Sequence, residues 1–168
     1  MKTAIIYYSM LGNTAFVASR LAELLGSEAE LIRLTPIKAY PDKGFKKFFW
    51  GGKSAVMAQT PKLNPYTFDA GRYERVIIGF PVWAGRVAPP IRTFVEENKA
   101  ELKGKSVSAF ACQSGSGAEK ALKGLKELLG IEEYGAAAIF IDPKDKPNDE
   151  NERKITDFRS MLKDGEEK

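Results

Sequence analysis

The chain has 168 residues, 43% apolar and 29% charged, with a formal net charge of +4, which is enough material for one folded domain with its own core. It contains no histidine and a single cysteine, Cys112, so the usual general base, the commonest zinc ligand and any intrachain disulfide are missing. Hydrolytic triads and metal-centred hydrolysis are therefore poor explanations; no metal site and no self-sufficient catalytic residue are expected, and a cofactor that brings its own reactivity is favoured.

Thr3–Tyr8 is apolar and β-rich, the first expected strand. Asn13–Leu25 carries Val17, Leu21, Leu24 and Leu25 at helical spacing and is stopped by Gly26. Glu28–Leu34 alternates as a strand. Phe45–Ala58 is expected to supply the next helix, inside a connection, Thr35–Arg72, of a length that tends to serve function or to hide structure of its own. Arg75–Phe80 reads as a strand buried on both faces. Pro89-Pro90 opens a helix packed through Ile91, Phe94 and Val95. Ser106–Cys112 is the fourth strand. Leu122, Leu125 and Leu129 mark a helix closed by Gly130. Ala136–Ile141 is the last strand. Ile155, Phe158 and Leu162 mark a final amphipathic helix before a tail, Asp164–Lys168, expected to fray.

This alternation predicts one α/β domain over residues 1–168: a three-layer, doubly wound, five-stranded parallel sheet of order 2-1-3-4-5. The apolar runs Ala4–Tyr8 and Gly135–Ile141 are far too short to cross a bilayer, and polar residues from Ser9 onward argue against a signal peptide. A cytoplasmic monomer or homodimer with no membrane partner is expected. Nine Lys/Arg lie from Arg33 to Arg75 against Asp42, Asp69 and Glu74, a modest positive field that favours anionic partners or is ordinary solvated surface. No nucleic-acid motif is present; only Phe45–Trp50 interleaves basic and aromatic residues.

Ligands of open α/β sheets bind beyond the carboxyl ends of the strands where strand order reverses. Three loops converge there. Ser9, Met10, Leu11, Gly12, Asn13 and Thr14 form the first, at a helix start whose free amides and dipole suit a phosphate without help from lysine or arginine. A bare helix cap is the alternative. Neither a P-loop nor a dinucleotide fingerprint fits: residues 9–20 hold no lysine and the loop has a single glycine. A receiver domain would need carboxylates where Tyr8-Ser9 and Phe80-Pro81 stand. A monophosphate fits best. The second loop, Pro81, Val82, Trp83, Ala84, Gly85 and then Arg86, offers an indole for a planar ring to stack on, or a core tryptophan over the sheet. The third, Gln113, Ser114, Gly115, Ser116 and Gly117, supplies donors and little bulk. Cys112 reads as a buried strand-end thiol rather than a redox nucleophile.

Together, Ser-x-x-Gly-Asn-Thr at Ser9–Thr14 and Gly-x-Pro-Val-Trp-Ala-Gly-Arg from Gly79, followed by Pro89-Pro90, resemble the flavodoxin family along nearly the whole chain. The resemblance implies FMN as cofactor. Ser9 to Thr14 would hold its phosphate, Pro81 to Gly85 would line the isoalloxazine ring, and Gln113, Ser114, Gly115 and Gly117 would meet the pyrimidine edge. Leu11 stands where the family often has threonine. The third loop lacks the aromatic of many carriers, so one ring face would be open or covered by Phe49 or Trp50. The basic balance also departs from acidic carriers. The functions implied are electron transfer to a redox partner protein or small acceptor, or an FMN-dependent NAD(P)H:acceptor oxidoreductase of quinone type, with Arg86 or nearby lysines attracting an anionic substrate. An interaction module without cofactor is a third reading.

Overall fold

The computed structural model describes residues 1–41 and 52–164. Its elements run β1 (Thr3–Tyr7), α1 (Asn13–Leu25), β2 (Ala29–Arg33), β3 (Arg75–Trp83), β4 (Arg86–Val87), α2 (Pro89–Leu102), β5 (Ser106–Gln113), α3 (Ala118–Leu129), β6 (Ala137–Ile141) and α4 (Asp149–Asp164). Strands β2, β1, β3, β5 and β6 lie side by side in that order, all parallel. This is the expected 2-1-3-4-5 arrangement, and the α/β class is as read from the alternation. The two-residue β4, not foreseen, is antiparallel to β3 and pairs Trp83 with Arg86. It extends β3 to Trp83, three residues past the expected end at Phe80, because the hairpin goes on pairing where the parallel sheet stops.

Side-chain alternation along β1 sorts the core into two layers. Ala4 and Ile6 join Val76, Ile78 and Phe80 of β3 under α2 and α3. Ile5 and Tyr7 join Val17, Leu21, Phe140, Phe158 and Leu162 under α1 and α4. At Gly79 the second layer has no room for a side chain: a Cβ there would lie 2.1 Å from Cζ of Phe110, its cross-strand neighbour. The Phe110 ring fills the space instead and meets Phe140 and Phe158 edge-on.

The long connection is partly structured. Ile37 N–H donates to Lys62 O (2.9 Å), Asn64 N–H donates to Thr35 O (2.8 Å), and Pro36 bridges Leu63, so its two ends run together. Of the helix expected at Phe45–Ala58, residues 52–56 are helical, Ala58 lies beyond the helix at φ +51°, and 45–51 fall outside the described residues, with Phe49 and Trp50 among them. Helix α4 runs through Asp164, one residue into the expected frayed tail; 165–168 lie outside the described residues. No helix among the described residues is long and apolar enough to cross a membrane.

Candidate functional site

Strand β1 ends at Tyr7 and the chain turns through Ser9–Gly12 into α1. The turn is held by the Gly12 N–H donating to Ser9 Oγ (3.2 Å) and by the Arg33 guanidinium donating to Ser9 O (3.2 Å). Gly12 caps the helix at φ +102°, a left-handed conformation natural to glycine. Phe16 is the first residue whose N–H closes a helical bond, onto Gly12 O (2.9 Å), and no side chain caps the helix start. The amides ahead of Phe16 therefore lack helical partners and, with the helix dipole, favour an anion. Thr14 is 1% exposed and its Oγ1 makes no hydrogen bond of good geometry. A buried hydroxyl without a partner is costly, and a ligand oxygen at the helix start would supply one.

Contacts from distant parts of the chain converge on this first loop. The Asn13 amide is engaged within the fold. Its Nδ2 donates to Asp145 Oδ2 (2.8 Å) and its Oδ1 accepts from Lys144 N–H (2.8 Å), clamping the loop that follows β6. The loop is also not free of cations. Lys144 Nζ reaches Leu11 O (3.4 Å) and would lie 2.9 Å from a Cβ on Gly12, while Arg33 holds Ser9 from the other side. Neither cation falls within the Ser9–Thr14 motif. Both arrive through tertiary contacts, from the end of β2 and the loop after β6.

The second loop is a tight hairpin. Ala84 (φ +50°) and Gly85 (φ +69°) both occupy the left-handed region, as a two-residue turn of the kind that joins twisted strands requires. Trp83 is half-buried, with Tyr8 (5.6 Å, 88°) and Tyr40 (5.0 Å, 81°) in edge contact. Neither tyrosine stacks flat on the indole. Tyr40 comes from the long connection and touches Ser54 Oγ through its hydroxyl (3.1 Å), so that connection helps to wall the site. Burial holds the Tyr8 phenol protonated far above its ordinary range; Tyr40 raises it further and Arg33 opposes.

In the third loop Gln113 Oε1 accepts from Ala118 N–H (2.9 Å) and Gly117 sits at φ +102°, where a Cβ would come within 2.8 Å of Gly85 Cα. The second and third loops thus touch backbone to backbone, which only glycine permits. Ser114 Oγ donates to Asp142 Oδ1 (2.6 Å) and Lys146 pairs with Asp142 Oδ2 (2.9 Å), which holds the Asp142 carboxyl below its ordinary range. Burial pushes the Cys112 thiol up to about 12, with the Thr14 hydroxyl pulling the other way, so the sulfur is an inert wall as expected.

These loops enclose a cavity of about 400 Å³. Twelve of the fifteen expected residues line it: Ser9, Met10, Leu11, Asn13, Thr14, Pro81, Val82, Trp83, Ala84, Gln113, Ser114 and Gly115. Gly12, Gly85 and Gly117 do not; they act through backbone shape. Gly52, Ser116 and Asp142 line it in addition, as does Cys112. Asp142 carried no motif, although an aspartate directly after the last strand stands at the same sheet edge as the three loops and was open to a topological argument. The volume lies within the range of small-molecule sites. The buried Thr14 hydroxyl, which lacks a hydrogen bond of good geometry, the open amides and the indole wall fit a group that is a phosphate at one end and a flat ring at the other. Among the described residues, no cluster of His, Cys, Asp or Glu is placed to hold a metal ion.

Comparison with known proteins agrees with this fold. The flavodoxin family model matches residues 2–136. A Lactobacillus acidophilus flavoprotein solved in complex with FMN superposes with a TM-score of 0.71 at 22% identity, over 82% of this chain and 92% of that one. Oxidised Flavodoxin 1 from Bacillus cereus superposes with a TM-score of 0.57 at 16% identity, over 98% of each chain. A WrbA-like flavodoxin from Agrobacterium tumefaciens gives 0.59 at 15% identity, over 99% of this chain and 98% of that one. No curated protein sequence matches. With a family model that covers most of its length, the chain belongs to the flavodoxin family.

Proposed function

We propose that this protein binds FMN in the cavity at the sheet edge and passes electrons through it to a redox partner protein or a small acceptor. One observation carries the reading: Thr14 Oγ1 is buried without a hydrogen bond of good geometry at the uncapped start of α1, in a cavity that Trp83 also lines. When bound, the flavin supplies the one- and two-electron chemistry. The chain's own residues bind and orient. The first-turn amides and Thr14 take the phosphate. Lys144 and Arg33 flank the loop and add attraction at longer range. Trp83 lies beside the ring, and the Gln113–Gly117 loop offers donors to its polar edge. The low-dielectric wall excludes water and disfavours negative charge on the ring, which lowers its potential.

The test is a fluorescence-quenching titration of the apoprotein with FMN and, separately, with riboflavin. FMN is expected to bind tightly and to lose its emission, and riboflavin to bind far more weakly for want of a phosphate. Equal affinities would remove the phosphate site. A second reading, an FMN-dependent NAD(P)H:acceptor oxidoreductase, is favoured by a basic cavity on the other side of the Trp83–Arg86 turn. Anaerobic mixing of the FMN-loaded protein with NADPH separates the two: rapid bleaching of the flavin's visible absorption supports the enzyme, and no bleaching supports the carrier.

A further inference from the structure

The Trp83–Arg86 turn has two sides. Trp83 and Ala84 face the flavin cavity, whereas Gly85 and Arg86 line a second cavity of about 260 Å³. Four cations from three elements converge on this second cavity: Arg86 of β4, Arg92 of α2, and Lys120 and Lys123 of α3. Arg92 is neutralised by Glu96 (3.0 Å), four residues on. Arg86, Lys120 and Lys123 are exposed and make no ion pair among the described residues. Glu127, one helical turn beyond Lys123, is the single carboxylate in the lining.

Three unpaired cations around one hollow repel each other unless an anion sits among them. The concavity selects the kind of anion. A carboxylate-bearing protein surface is read by a broad patch, whereas a hollow of this size takes a compact, multiply charged group. Gly124 of α3 lines the cavity as well. A Cβ on Gly124 would meet nothing within 4 Å, yet the chain keeps glycine in the interior of α3, where alanine would make a better helix. The Lys120 stem runs alongside Gly85, with its Cδ 3.5 Å from where a Cβ on that glycine would stand. Arginine forks and lysine ammoniums in this combination match phosphate oxygens.

We propose that this second cavity binds the phosphate groups of a small phosphorylated molecule, a nucleotide above all, next to the flavin site. The nucleotide assignment rests on the flavin reading, since an electron donor delivered there would reach the ring across a single turn; the phosphate site itself does not.

The test is calorimetric titration of the FMN-loaded protein at low salt with inorganic pyrophosphate, with ADP and with adenosine. Pyrophosphate and ADP are expected to bind and adenosine not to. Tighter binding of ADP than of pyrophosphate would mark a nucleotide site, and equal binding a site for phosphate alone. Arg86→Gln and Lys123→Gln each remove a charge-assisted contact, so each should weaken binding about tenfold while FMN affinity stays unchanged. Glu127→Gln should tighten it, a gain that a damaged fold would not mimic. Binding should also weaken as salt rises. The proposal is overturned if pyrophosphate and ADP do not bind, if neither glutamine variant changes their affinity, or if an acidic peptide binds with the same sensitivity and the phosphates do not. Should the protein fail to take up FMN and still bind pyrophosphate through Arg86 and Lys123, the flavin reading falls and the phosphate site stands.

Discussion

Replacing Thr14 by valine swaps a hydroxyl for a methyl of nearly the same shape at a position that is 1% exposed. In the apoprotein Oγ1 is buried without a hydrogen bond of good geometry, a condition that costs about 1–3 kcal/mol. Thr14→Val removes that cost, and valine and threonine have similar helix propensities. The apoprotein should therefore gain about 2 kcal/mol, or about 4–8 °C in Tm for a chain of this length. With FMN bound the sign reverses. A hydrogen bond from the hydroxyl to a phosphate oxygen contributes about 1.5–3 kcal/mol, so its loss should weaken FMN about 10- to 150-fold and leave riboflavin affinity almost unchanged. Thermal unfolding of apoprotein, with fluorescence titration of both flavins, reads all three effects. A variant that is less stable without flavin and binds FMN as before would refute the reasoning, because the hydroxyl would then serve the fold and not the ligand.

Gly79→Ala should be severely destabilising, since its Cβ would enter the Phe110 ring; about 3 kcal/mol, or about 6–12 °C in Tm, is expected, and adding Phe110→Leu should recover part of it. Asp142 has its folded pKa depressed by Ser114 and Lys146, so its contribution is complete above the ordinary carboxylate value, about 3.9, and is lost as pH falls through the lower folded value. The stability gap between the wild type and Asp142→Asn, measured by urea unfolding, should thus be full at neutral pH and close in strong acid; a gap that stays constant would contradict the assignment. Cys112, buried and held protonated by a pKa of about 12, should resist a thiol reagent at pH 8 until the protein unfolds, and fast labelling of the native state would show that the wall is open.

The composition and the alternation of short apolar runs with helical spacing determined the layered α/β domain. The strand order followed because parallel strands need right-handed helical crossovers, which leaves few arrangements. The convergence of Ser9–Thr14, Pro81–Gly85 and Gln113–Gly117 was legible for the same reason: a sheet edge collects its loops wherever strand order reverses. Gly12 at a helix start, whose role depends on local backbone chemistry, could be read from its neighbours in sequence; the Ala84-Gly85 hairpin turn, which depends on β4 pairing back onto β3, could not. What depends on distant contact could not. Lys144 beside Gly12, Arg33 on Ser9, Asn13 turned onto Asp145 and Tyr40 against Trp83 join segments far apart along the chain. Hydrophobic periodicity and turn residues record which face of an element is buried, but not which loop comes to rest against it. The tertiary structure alone decided that the Ser9–Thr14 loop has cations at its flanks, and that Arg86, Lys120 and Lys123 share one hollow.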